Sequence, residues 1–122
     1  MKKRSRLTAR TDFQRLLTGR RLYAGANLVG FATAGRAERS RVGVSTSRQI
    51  QGAVARNRAR RRVREAVRLR LLSDGLMGRG SGITFDVVLI ARPPALTAPF
   101  AQIEAEIREF GDRLDRIDLK AT

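Results

Sequence analysis

A chain that breaks covalent bonds near neutral pH needs a base, a nucleophile or a metal, and this sequence is poor in the side chains that supply them. It contains no histidine and no cysteine, so the usual general base, activated thiolate and transition-metal ligands are missing. Acids outside the C-terminal stretch are few and dispersed, whereas two-metal hydrolysis needs clustered carboxylates. What the chain has in excess is arginine. Gly52 to Leu72, GAVARNRARRRVREAVRLRLL, carries Arg56, Arg58, Arg60, Arg61, Arg62, Arg64, Arg68 and Arg70 against Glu65 alone, seven net positive charges in twenty-one residues. A guanidinium forks onto phosphate oxygens and stacks on bases in ways an ammonium does not. The chemistry this stretch can do is recognition of a polyanion.

To present those arginines, the stretch must hold one face against the protein. At about 100° per residue, Ala59, Val63, Ala66, Val67 and Leu71 form an apolar stripe, and Asn57, Arg61, Arg64 and Arg68 line up on a neighbouring face. A solvated amphipathic helix is the plain alternative. Such helices mix signs and gain from opposite charges four apart, however, and here one acid stands among eight bases. The net charge of the whole chain is +15 and the isoelectric point is near 11.9, which suits salt-sensitive binding to nucleic acid. Residues 1–98 hold 22 bases and 5 acids, and residues 99–122 hold 4 bases and 6 acids. The contact surface should therefore exclude the C-terminal helix.

At 122 residues the chain suits one domain with a modest core: a basic arm over residues 1–10 and a single α/β domain over 11–119. Without cysteine, disulfides and thiolate metal sites are excluded, and a reducing compartment is compatible. No apolar run approaches the roughly 20 residues that span a bilayer, and the start, MKKRSRLTAR, lacks a following apolar segment. These features predict a soluble cytoplasmic protein without membrane association.

Along the chain, Thr11-Asp12-Phe13-Gln14 has the spacing of a capping box, with Phe13, Leu16 and Leu17 on one side and Gly19 to close, predicting a short first helix. From Arg20 to Ser47 the period becomes two. Arg21–Tyr23, Leu28–Thr33 and Arg41–Thr46 are separated by turn residues and are expected as three antiparallel strands. Val42, Val44 and Thr46 fall on one face, and Gly43, Ser45 and Ser47 on the other, a small polar face that could admit a ligand or simply meet solvent. Ser73–Gly82 reads as a loop without a phosphate-binding motif. Phe85–Ala91 reads as a strand buried on both faces inside the sheet, ended by Arg92-Pro93-Pro94. Thr97 and Pro99 open a last helix, whose Phe100, Ile103, Ile107, Phe110, Leu114 and Ile117 make a core stripe across an interior Gly111.

The stretch RVGVSTSRQIQGAVARNRARRRVREAV, from Arg41 to Val67, resembles the signature of the bacterial ribonuclease P protein family. A strand with alternating serines is followed by a basic position, a glycine-containing link and the triplet Arg56-Asn57-Arg58 opening a basic helix. Upstream KKRSRLTARTDF and downstream DVVLIARP resemble the family's basic N-terminus and its last strand, so the similarity runs from Lys2 to about Ile117. The resemblance implies an α/β two-layer sandwich with about four strands in a mixed sheet and three helices, in the order α-β-β-β-α-β-α, with a left-handed βαβ crossover. It implies RNA contacts at Arg56, Asn57, Arg58, Arg60, Arg61, Arg64 and Arg68. It also implies a cleft for the 5′ leader of precursor tRNA lined by Phe13, Phe31, Ser45, Ser47 and Arg48. Leu17 and Gln49 depart from the pattern, standing where the family often has a second aromatic and a second lysine.

The activity implied is endonucleolytic removal of 5′ extensions from precursor tRNA, carried out by the catalytic RNA subunit with Mg²⁺ that this RNA mainly binds. The chain itself would have no catalytic residue, no metal ligand of its own and no organic cofactor. Its partners would be the RNA subunit and the leader, with no obligate protein partner. A ribosomal or nucleoid-type protein using the same arginine helix on RNA or DNA is the rival reading. A membrane-surface helix ranks last, because it needs bulky Trp, Phe or Leu on its apolar face and this face is mainly alanine and valine.

Overall fold

The structure is a computed structural model that describes residues 20–34, 41–72 and 85–116. The basic arm, the short first helix with Phe13 and Leu17, the 73–82 loop and Ile117 lie outside the described residues. Four strands form one sheet: β1 (Arg20–Ala24), β2 (Leu28–Ala34), β3 (Arg41–Thr46) and β4 (Phe85–Ala91). Between β3 and β4 runs the arginine helix α1 (Ala53–Val67), continued by a π-helical turn over Arg68–Leu72. After β4 a 3₁₀ turn (Pro93–Leu96) leads into α2 (Phe100–Arg116).

The strand order is β1-β2-β4-β3, which corrects the expectation of three consecutive antiparallel strands. Only β1 and β2 pair that way in sequence; β3 leaves its neighbour and pairs in parallel with β4, which lies antiparallel to β2 on its other side. The reason is burial. Phe85, Asp86, Val87, Val88, Leu89 and Ala91 are all buried, and a strand with no polar face is satisfied only between two neighbours. The same register puts the arginine helix on the βαβ crossover joining β3 to β4.

Both helices pack on one face of the sheet. Leu28 and Ala32 of β2, Val42 and Val44 of β3, and Phe85, Val87, Leu89 and Ala91 of β4 share a core with Ala59, Val63, Ala66 and Val67 of α1 and Ile103, Ile107, Phe110 and Leu114 of α2. Phe110 lies so close over Gly30 that a Cβ at residue 30 would overlap its ring. Gly111 does not interrupt α2. Thr97, expected as the cap of this helix, sits in the turn ahead of it with its N–H on the Pro94 carbonyl at 3.2 Å. Two consecutive prolines draw that part of the chain into the 3₁₀ turn, and the first bond of the helical entry runs from Gln102 N–H to the Pro99 carbonyl at 2.9 Å.

Candidate nucleic-acid interface

α1 begins at Gly52, whose φ of 91° is the only positive value among the described residues. Glycine suits this position because an L side chain rarely adopts such a backbone. The apolar stripe is seated: Ala59, Val63, Ala66 and Val67 are fully buried. Arg56, Asn57, Arg58, Arg61 and Arg68 are exposed, and Arg60 and Arg64 are half-buried beside them. Asn57, Arg60, Arg61, Arg64, Glu65 and Arg68 line one open pocket of about 240 Å³.

Arg60 and Arg68 are oriented before any ligand arrives. Asn57 Oδ1 accepts from Arg60 at 2.7 Å, and Glu65 accepts twice from Arg68, at 3.2 and 2.5 Å. The bonded Arg68 holds the Glu65 carboxyl below the ordinary carboxylate range, so the single acid of the helix stays ionised inside the basic row. Presenting side chains already in place lowers the ordering cost of binding.

The face of the sheet turned away from α1 and α2 is built by register. Phe31 stands beside Val88 and Gly43, Val29 beside Ile90 and Ser45, and Thr33 beside Asp86 and Arg41. Phe31 and Ser45 of the expected leader cleft therefore share this face, one row apart. The expectation of a small polar face describes β3 alone, because β2 and β4 bring Val29, Phe31, Val88 and Ile90 to the same side. Ser47 follows the strand, donating its N–H to the Ala91 carbonyl at 2.8 Å and accepting from Gln49 N–H on its Oγ at 3.1 Å, which closes a small turn. Arg48 is exposed on that turn. Phe13 lies outside the described residues.

The ribonuclease P family profile matches residues 1–115. The chain belongs to the ribonuclease P protein family. It is 37% identical over 110 residues to the ribonuclease P protein component of Dehalococcoides mccartyi, covering 90% of this chain and 84% of that one. It is 43% identical over 105 residues to the corresponding protein of Ruegeria pomeroyi, covering 84% and 79%. The ribonuclease P protein of Thermotoga maritima superposes with a TM-score of 0.68 at 25% identity, covering 93% of this chain and 97% of that structure. The protein is thus a subunit of an endoribonuclease whose partner is the ribonuclease P RNA, which displaces the ribosomal or nucleoid-type reading.

Within this ribonuclease P protein, two arginines of the basic stretch face inward, where sequence spacing alone had no means of placing them. Arg62 donates to the Ala95 carbonyl at 2.6 Å and to the Ala98 carbonyl at 2.5 Å, tying α1 to the connection that follows β4. Arg70, in the π-helical turn, pairs with Glu104 of α2 at 2.9 Å. Their partners lie more than thirty residues away, so no local pattern announces them.

A second polar cluster fixes the β1–β2 turn to α2. Glu106 accepts from the Tyr23 hydroxyl at 2.9 Å and from the Asn27 side-chain amide at 2.5 Å. Arg113 lies 5.2 Å from the centre of the Tyr23 ring and donates to the Leu22 carbonyl at 2.7 Å. Burial first, and then the bond to Glu106, push the Tyr23 phenol up to about 12. On the sheet face opposite the helices, buried Asp86 is held in a fork by Arg41 at 3.0 and 2.7 Å.

Proposed function

We propose that this ribonuclease P subunit acts by differential binding: α1 docks on the catalytic RNA, and the sheet face that carries half-buried Phe31 and Ser45 holds the single-stranded 5′ leader of precursor tRNA. The observation that carries the first part is the row Asn57, Arg60, Arg61, Arg64 and Arg68 around one pocket, joined on the same helix by Arg56 and Arg58. The second part rests on Phe31 and Ser45 sharing one sheet face, near Ser47 and exposed Arg48. A half-buried aromatic gives a leader base a stacking surface worth about 1 to 3 kcal/mol. Phe13 from a short first helix completes the cleft in this reading, and the βαβ crossover carrying α1 is left-handed.

In the proposed scheme Mg²⁺ is held mainly by the RNA subunit. Several carboxylates are already engaged by the protein, which supports this reading: Asp86, Glu65, Glu104 and Glu109 each face a guanidinium, and Glu106 is taken by Tyr23 and Asn27. The chain's own contribution is to offset repulsion between RNA and substrate, and to bind precursor more tightly than trimmed tRNA. Interactions made with the leader and lost in the product favour turnover as well as binding. No described helix is long and apolar enough to cross a membrane, and the proposal places the protein in the cytoplasm, with its tRNA substrates.

The test is reconstitution. The chain added to the ribonuclease P RNA and precursor tRNA should release the 5′ leader at Mg²⁺ concentrations where the RNA alone is inactive. Leader release that needs the same Mg²⁺ with and without the chain would refute the proposal.

A further inference from the structure

Strand β1 does not alternate regularly. Its pairing with β2 shifts between Arg21 and Tyr23, a bulge that inserts Leu22 as an extra residue on the edge strand. Tyr23 stands opposite Gly30, which lies under Phe110, and its hydroxyl donates to Glu106 of α2, so Tyr23 is on the helix side of the sheet. Regular alternation would put Arg21, two residues earlier, on that same side. The bulge instead packs Leu22 against the core and turns Arg21 to the opposite face, directly across from Phe31. Residues paired in this way hold their Cβ atoms about 4.5 to 5.5 Å apart. Arg21 is exposed, and its guanidinium has no hydrogen-bond or ion-pair partner among the described residues. Other arginines around the sheet are engaged: Arg41 by Asp86, Arg92 by the Gly25 carbonyl, and Arg113 by Glu109 and the Leu22 carbonyl.

We propose that Arg21 binds a backbone phosphate of the 5′ leader beside the nucleotide stacked on Phe31, carrying the leader across β2 onto the edge strand. The inference rests on the reading of the Phe31 and Ser45 face as the leader site and adds one residue to it. An aromatic ring offers a base a stacking surface that tolerates any sequence, and a cation beside it takes the phosphate; single-stranded nucleic acid is held by this combination. A guanidinium suits the second task because it forks onto phosphate oxygens. A phosphate contact carries no sequence information, so Arg21 makes binding depend on how far the leader extends and not on its bases.

The test uses reconstituted holoenzyme and precursor tRNA whose leader phosphates are replaced one at a time by uncharged methylphosphonates. The parent should lose affinity about two- to fivefold at one such linkage. Arg21→Ala should show the same loss with the natural leader and be indifferent to replacement at that linkage. With the natural leader, Arg21→Ala should also lower the slope of log affinity against log salt by about 0.7, and Arg21→Lys should keep the parent slope. Mature tRNA should bind both variants as it binds the parent. Equal losses for precursor and mature tRNA in Arg21→Ala, or undiminished sensitivity of this variant to the critical linkage, would overturn the proposal. Precursor binding unchanged in Arg21→Ala but selectively weakened in Phe31→Ala would confine Arg21 to guarding the sheet edge and leave the leader site standing. If neither substitution separates precursor from mature tRNA, both readings fall.

Discussion

Arg61 and Arg62 are adjacent and chemically identical, yet the fold gives them opposite work. Arg61 is exposed beside the basic pocket, and Arg62 satisfies two carbonyls in and just after the 3₁₀ turn, where no helix bond is available. Bonds from a charged donor contribute about 1.5 to 3 kcal/mol each, but Arg62 is only half-buried and water can replace part of what it supplies, so Arg62→Ala should lower unfolding free energy by about 2 to 3 kcal/mol in total. Urea denaturation measures this, and the salt slope of RNA binding should stay that of the parent. Arg62→Lys should recover part of the loss, since an ammonium cannot fork across two acceptors. Tyr23 makes a second residue-scale prediction. Its phenol ionises near 10 in an unfolded chain and near 12 here, so the folded state keeps its proton to higher pH. The stabilisation is complete below about pH 10 and is lost as pH rises toward 12. The chain has one tyrosine and no tryptophan, so phenolate absorbance reports this group directly. Tyr23→Phe should flatten the fall in stability across that window.

At the scale of an element, α1 is two devices on one cylinder. Its alanine and valine stripe is thin, and small side chains let the helix lie close to β3 and β4; its other side carries an excess of positive charge that suits a polyanion. Arg61→Ala, Arg64→Ala and Arg68→Ala combined should leave the far-ultraviolet circular dichroism unchanged and abolish assembly with the RNA at physiological salt. The slope of log affinity against log salt should fall by up to about three if each contacts a phosphate. A collapse of helical signal matching the loss of binding would show the row to be structural. The stripe and the charged row were legible because both follow the 3.6-residue period over one continuous segment. The π-helical turn and the inward positions of Arg62 and Arg70 were not, because the groups that decide them belong to α2 and to the turn before it.

The whole molecule places its two candidate surfaces on different parts of one sheet-and-helix body: arginines on α1, and Phe31 with Ser45 on the face opposite the helices. If the second surface grips the leader, Phe31→Ala should weaken holoenzyme binding of precursor tRNA by about five- to a hundredfold, with little change for mature tRNA. Equal losses for both substrates would take Phe31 out of the cleft. Sequence alone determined the polyanion-binding chemistry, the buried character of Phe85–Ala91, the core stripe of the last helix and the family, because composition and short-range periodicity record them directly. It also held the alternation that sends Gly43 and Ser45 away from Val42 and Val44. Only the tertiary structure decided that β3 abandons β2 for a parallel place beside β4, and that Phe31 and Ser45 thereby lie on one face, across β4 from each other. Strand pairing is a competition among segments far apart in the chain. It is settled by which strand must bury both of its faces, and no local pattern in β2 or β3 carries that information.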